Sequence, residues 1–135
     1  MGYRTVTLDT DRSALFDITP LVREAVMESG VVDGLAVVWV PHTTAAVSIV
    51  SFPDPRGLED VMDEIRRLIP TRIDFKHEHD TPQDAAGHVK SALVGASLTL
   101  IVADGEMLLG HSQKIFLFEF DGPRQRKIQV KAISG

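Results

Sequence analysis

From Gln113 to Ile133 the sequence runs as two alternating segments broken once, at Asp121-Gly122-Pro123. Successive side chains on a strand point to opposite faces. In the first segment Gln113, Ile115, Leu117 and Glu119 share one face, and Lys114, Phe116, Phe118 and Phe120 share the other, so both faces carry apolar residues and call for cover. In the second, Arg124, Arg126, Ile128, Val130 and Ala132 point one way, while Gln125, Lys127, Gln129 and Lys131 form a solvated face. The pattern predicts a C-terminal hairpin closed at the Gly-Pro turn, with Arg124 and Arg126 continuing the inward face of its second strand.

The rest of the chain supplies partners for that hairpin. Tyr3 to Leu8 alternates as a strand. Thr19-Pro20 opens a helix with Thr as cap and Pro at the first position; Val22, Ala25, Val26 and Ser29 share its inner face and Gly30 stops it. Leu35 to Val40 is a continuous apolar run, which predicts a strand buried on both faces. Thr43 to Val50 reads as a further strand. Asp54-Pro55 begins the clearest helix, with Leu58, Val61, Met62, Ile65, Leu68 and Ile69 in one apolar stripe and Pro70 at its end. Its acids come early and Arg66 and Arg67 late, which suits the helix dipole. Ala85 to Gly95 reads as a short third helix. Ser97 to Ala103 and Glu106 to Leu109 read as strands joined by Asp104-Gly105, a two-residue hairpin signal. The expected fold class is α+β, with three helices against mostly antiparallel sheet in one domain spanning residues 1–135.

Composition narrows the chemistry. No cysteine occurs among the 135 residues, which removes disulfides, thiolate nucleophiles and cysteine-based zinc sites, so any metal must use His, Asp or Glu. The net charge of −5 argues against a general nucleic-acid role, although Arg124 to Lys131 holds four cations and no acid. The longest unbroken apolar run has six residues, too few to span a bilayer, and no signal-peptide pattern opens the chain; the expectation is a soluble cytoplasmic protein. Asparagine is absent as well, one compositional mark of thermophile proteins.

Two groups of residues could carry function. Glu119, Arg124 and Arg126 stand at the rim of the predicted core, either as an ion pair that closes the hairpin or as an anion site in which the guanidinium fork meets phosphate or carboxylate. The second group is histidine. His42 lies between two apolar strands beside Thr43 and Thr44, and His88 has small residues at helical spacing, Asp84, Ala85, Ser91 and Ala92. His77 and His79 flank Glu78, and His111 follows Gly110. No pair has the HExxH spacing, and spacing alone does not join these residues in one site.

Their order along the chain forms a larger pattern. His42-Thr43-Thr44-Ala45-Ala46 is followed by Gly87-His88-Val89-Lys90-Ser91-Ala92-Leu93-Val94-Gly95, then by Gly105 through Leu108-Leu109-Gly110 to Gln113, and then by Glu119-x-Asp121-Gly122-Pro123-Arg124-x-Arg126. This resembles the YjbQ-type family over nearly the whole chain. The resemblance implies a sandwich-like α+β domain, a homotrimer, and a cleft holding the family's histidines near a subunit boundary. The matching positions are His42, Thr43, Thr44, His77, His88, Gln113, Glu119, Arg124 and Arg126. The family is described as having a weak thiamine-phosphate synthase activity, a transfer that joins a pyrimidine diphosphate to a thiazole phosphate and normally uses magnesium. Three departures stand out: Ser51-Phe52 occupies the place of the family's Asn-Glu, His111-Ser112 replaces a small polar residue and Trp before Gln113, and an Asn that often precedes the helix histidine is absent.

Three functions are compatible with these residues. In the first, a small-molecule transferase uses His42, His77 and His88 to bind a divalent metal (Mg or Zn), or His42, His88 and Glu119 in catalysis, while Thr43, Thr44, Gln113, Arg124 and Arg126 hold a phosphorylated substrate. In the second, the same residues form a trimeric binding module for a metal or anionic metabolite without turnover. In the third, the histidines fill the core and Glu119–Arg126 is structural.

Overall fold

A computed structural model describes residues 2–51, 54–77 and 81–135. Phe52, Glu78 and His79, named above, lie outside the described residues. The elements run β1 (Arg4–Thr10), β2 (Leu15–Asp17), α1 (Thr19–Ser29), β3 (Gly34–Trp39), β4 (Ala45–Ser51), α2 (Pro55–Leu68), α3 (Pro82–Val94), β5 (Ser97–Ala103), β6 (Glu106–Met107), β7 (Gln113–Glu119) and β8 (Arg124–Ser134). They form two antiparallel sheets, one ordered β1-β8-β3-β5-β6 and the other β2-β7-β4. The α+β class with three helices is as the periodicity predicts.

β7 explains the layering. Its Ile115 and Leu117 enter the core between the two sheets, together with Val22 and Val26 of α1, Ala36 and Val38 of β3, and Ile128 and Val130 of β8. Its Phe116 and Phe118, with Phe120 beyond its end, enter a second core, where Met62, Leu58, Val61 and Ile65 of α2 cover them. β7 is thus the middle strand of the smaller sheet, covered on both faces. The apolar stripe of α2 ends sooner than expected, since Leu68 is exposed.

The predicted C-terminal hairpin is not one. β7 pairs with β2 and β4, whereas β8 pairs with β1 and β3. Asp121-Gly122-Pro123 is a corner that carries the chain from one sheet to the other, through a cis Gly122–Pro123 bond. Gly122 is needed there for space: a Cβ would lie 2.7 Å from the Arg12 carbonyl oxygen and 2.9 Å from Glu119 Cγ. Alternation cannot distinguish a hairpin from such a corner, because both keep period two on either side of the break.

Three other expectations change. β3 is buried on one face only: Ala36 and Val38 point in, while Leu35 and Trp39 are about half exposed, so the continuous apolar run has a solvent-facing side. The strand after Asp104-Gly105 is only Glu106–Met107, although both turn residues have positive φ (54° and 79°), as that hairpin signal requires. At α1 the cap position falls on Ile18 without a side-chain bond. Asp17 accepts the Thr19 N–H instead (2.9 Å), and the Thr19 hydroxyl, which accepts the N–H of Ile115 (2.8 Å), ties the helix to β7.

The third helix begins three residues earlier than its apolar pattern predicts. Thr81 caps it by accepting the Asp84 N–H at 3.1 Å, and Pro82 takes the first turn. This brings Asp84 into the helix, one turn before His88. The helix also lies unusually close to the sheet: a Cβ on Gly87 would meet the Phe120 carbonyl oxygen and Thr44 Cγ2, each at 3.3 Å.

Candidate functional site

Parity brings the first group together. Glu119 ends β7 on the face that Ile115 and Leu117 send between the sheets, and Arg126, the third residue of β8, lies on the face that Ile128 and Val130 send to the same core. They meet across the sandwich, fully or nearly fully buried. Arg126 binds Glu119 bidentately, with Nε donating to Oε1 at 2.7 Å and Nη2 to Oε2. Arg126 Nη2 also donates to the Thr44 hydroxyl (2.9 Å) and carbonyl (3.1 Å). Thr10 of β1 gives its hydroxyl hydrogen to Glu119 Oε1 at 2.7 Å, and the Asp121 N–H donates to Oε2 at 3.0 Å. Burial by itself raises the carboxyl pKa; the bonds from Arg126, Thr10 and Asp121 outweigh it, so Glu119 is held below the ordinary carboxylate range. This network joins β1, β7, β8 and the start of β4.

Above that floor is a cleft of about 430 Å³ lined by Pro41, His42, Thr43, Thr44, Asp84, His88, Arg124 and Arg126. A larger cleft of about 640 Å³ lies between α2, α3 and β4, but its lining (Ile49, Val61, Leu93, Phe118 and neighbours) holds no titratable side chain. A third cleft of about 470 Å³ carries Arg12, Glu59, Asp63 and Arg66 but no histidine; the described histidines that line a cleft, His42 and His88, do so in the smaller one. Arg124 shares the inward parity of Arg126 but sits at the strand's end, beyond the core. Its side chain is half exposed and bound to Asp121, with Nη2 donating to Oδ2 at 2.8 Å and Nε to the carbonyl at 2.9 Å.

The histidines divide into two kinds. His77 and His88 converge on one oxygen of Asp84, Nε2 of His77 at 3.1 Å and Nε2 of His88 at 3.3 Å from Oδ2. The two rings meet edge to face, with centroids 5.1 Å apart. One ligand atom from each of His77, Asp84 and His88 lies within 4.8 Å of the others. Bonds of 2.0–2.1 Å around a tetrahedral zinc place neighbouring ligand atoms about 3.3 Å apart, so the Asp84–His spacings fit that ion. Two imidazoles and one carboxylate are also the donor set of borderline transition metals, whereas magnesium favours an all-oxygen shell.

His42 belongs elsewhere. Its Nε2 accepts the backbone N–H of Lys127 at 2.8 Å. A backbone amide only donates, so Nε2 must carry the lone pair and Nδ1 the proton. Burial, then the Arg126 charge, push the His42 pKa below 6.5. His42 is thus a neutral imidazole whose remaining polar function is an Nδ1–H donor, and His42 Nε2 is occupied. Thr43 is exposed on the cleft wall, while the Thr44 hydroxyl is taken by Arg126. Gln113 is not brought here: it stands at the opposite end of β7, opposite Ser51, and its Oε1 accepts the Gly110 N–H at 2.7 Å.

Sequence reasoning missed Asp84. Its signal was present: an acid four residues before a helical histidine shares that histidine's face. It was read only as a small neighbour, because the helix appeared to begin after it.

Comparisons with known proteins give the family and the fold. A family model described as UPF0047 protein YjbQ-like matches residues 4–135. The chain belongs to this family. It is 46% identical over 122 residues to the UPF0047 protein MJ1081 of Methanocaldococcus jannaschii, covering 90% of this chain and 86% of that one. It is 37% identical over 124 residues to the UPF0047 protein YugU of Bacillus subtilis, covering 90% and 91%. Among solved structures, the hypothetical protein APE1520 of Aeropyrum pernix K1 superposes with a TM-score of 0.92 at 35% identity over the whole of both chains. A YbjQ-like protein of unknown function from Sulfolobus solfataricus P2 gives 0.92 at 30% identity, covering 98% and 96%. Among the described residues, no helix of this UPF0047 chain is long and apolar enough to cross a membrane.

Proposed function

We propose that this UPF0047 protein binds a divalent transition metal through His77, Asp84 and His88 and holds a phosphorylated small molecule against it, as a transferase of the thiamine-phosphate synthase kind. The observation that carries the reading is the three-ligand cluster of α3 and its preceding loop, opposite two arginines in the same cleft. The metal, when bound, would supply positive charge for the leaving diphosphate. Arg124 and Arg126 flank that space, and Thr43 and the Nδ1–H of His42 are donors toward it. Glu119 acts by fixing Arg126, its oxygens being fully engaged. Metal analysis of the purified protein is the first test: about one zinc, cobalt or manganese ion per chain in the wild type, and none in Asp84→Ala. Incubating the metal-loaded protein with the pyrimidine diphosphate and thiazole phosphate, followed by detection of thiamine phosphate, tests the transfer; absence of product at high protein concentration removes that substrate pair.

One observation favours the second reading, a binding module without turnover. The lone pair of His42 Nε2 is spent on a backbone amide, and His77 and His88 face Asp84. With metal on His77 and His88, the cleft keeps no imidazole base among the described residues. Ligand binding without product formation supports this reading.

We also propose the homotrimer, for which the outer sheet offers a contact surface. On the outer face of the larger sheet, Leu35 lies in register between Ile101 and Ile133, and all three are 44–58% exposed. With Trp39 and Tyr3 they form an apolar surface that a subunit contact would cover. Light scattering reads it: a mass of three chains for the wild type, and a smaller species for Leu35→Glu with Ile101→Glu.

A further inference from the structure

The cleft has a charge balance that its two arginines conceal. Each guanidinium is already matched by a carboxylate at hydrogen-bond distance: Arg126 by Glu119 beneath it and Arg124 by Asp121 beside it. Asp84 adds a third carboxylate, buried and facing the same space. Two guanidiniums therefore meet three carboxylates. Lys127, whose backbone holds His42, adds an exposed cation nearby. No surplus of positive charge awaits a phosphate.

We propose that this cleft is a conditional oxyanion receptor: a phosphate group binds with useful affinity only after a divalent cation occupies His77, Asp84 and His88. The inference rests on the metal reading above. A divalent ion turns the excess of one negative charge among these five groups into an excess of one positive charge. The phosphate then meets the metal's open positions, the outer edges of Arg124 and Arg126, and the Nδ1–H of His42. His42 is suited to this place because its pinned tautomer always presents a hydrogen there. The coupling is reciprocal by thermodynamic necessity, so phosphate tightens metal binding by the same factor. The ligand class follows: molecules with a terminal phosphate or diphosphate, taken up by the metal-loaded protein and released when metal leaves.

Calorimetric titration tests this with zinc-loaded protein freed of excess metal, metal-free protein, and inorganic phosphate as probe, at pH 8, above the ordinary imidazole range. The expected result is phosphate binding about 10- to 100-fold tighter in the zinc-loaded protein, within the usual span of such couplings. Asp121→Asn frees Arg124, and should let metal-free protein bind phosphate while shrinking the zinc effect several-fold. Asp84→Asn should make phosphate binding indifferent to added zinc. Stoichiometric zinc with unchanged phosphate affinity, or no phosphate binding in either state, overturns the inference while sparing the metal reading. Failure of the wild type to load zinc removes both.

Discussion

Glu119 with Arg126 on the floor of the cleft, and Asp121 with Arg124 on its rim, are carboxylate–guanidinium pairs supplied by the same corner of the chain. On the floor the carboxylate is inaccessible to solvent and both of its oxygens are engaged by side chains or backbone. On the rim half of the arginine side chain is exposed. The rim continues into His77, Asp84 and His88, where both imidazoles converge on one carboxylate oxygen. An internally satisfied network contributes to stability and leaves a ligand only the outer edge of Arg126. A rim with unspent donors contributes little to stability and can bind. Family resemblance nominates residues from both; only geometry separates their duties.

The largest expected effect comes from breaking the floor. Glu119→Gln leaves Arg126 buried beside a neutral group and should cost about 3–5 kcal/mol, the range for removing one partner of a buried pair, as read by denaturant unfolding. Acid sharpens the same point. The folded-state pKa of Glu119 is depressed, so its contribution is fully present above the ordinary glutamate value of about 4.3 and is lost as pH falls through the folded value. Wild-type stability should therefore fall more steeply than that of Glu119→Gln below that pH; parallel curves would place the stabilising interaction elsewhere.

A smaller effect is expected at the corner that joins floor to rim. Gly122→Ala forces a methyl into the Arg12 carbonyl and should cost roughly 1–3 kcal/mol, the usual penalty for overpacking. At the rim the pattern reverses. Asp84→Asn should change stability by less than about 1 kcal/mol, since its backbone N–H to Thr81 remains, while zinc affinity drops by about 100-fold in equilibrium dialysis. A stability loss equal to that of Glu119→Gln would erase the distinction between floor and rim. The smallest effect belongs to Gln113→Ala, which loses one exposed bond to Gly110. It should shift stability by about 0.5 kcal/mol or less and leave zinc and phosphate binding unchanged; an altered phosphate affinity would bring Gln113 back to a ligand site.

The two-sided burial of β7 is legible in its Ile-Phe-Leu-Phe sequence, and so is the inward parity shared by Glu119 and Arg126. These rest on period two, which burial enforces directly. Which strands β7 and β8 choose as neighbours is not legible, because register partners lie more than a hundred residues away, as Arg4 and Val130 do, and alternation is identical in a hairpin and a corner. Hence the shared inward parity of Arg124 and Arg126 is legible, but their different depths are not, with Arg124 at the rim and Arg126 buried: parity gives a face, and the depth of a residue along the strand depends on where the core ends. Leu35 to Val40 shows the opposite error. Its outward Leu35 and Trp39 imitate a strand covered on both sides when only one side is covered within the chain. At the cleft, Asp84 hid behind Pro82, since a helix that starts on a capped Thr-Pro pair contributes its first turn before any apolar residue announces it.

The sheet-to-sheet corner has a dynamic consequence. Because Thr10 and Arg126 belong to one sheet and Thr44 and Glu119 to the other, the layers cannot part without uncovering Glu119. The amide hydrogens of Phe120 and Arg124, bonded to Thr44 and Thr10 on either side of this seam, should therefore exchange with solvent only when the whole domain opens. Deuterium uptake at these two positions then measures the lifetime of the cleft itself: the binding surface persists as long as the domain is folded, with no looser, partly opened state in which its walls drift apart.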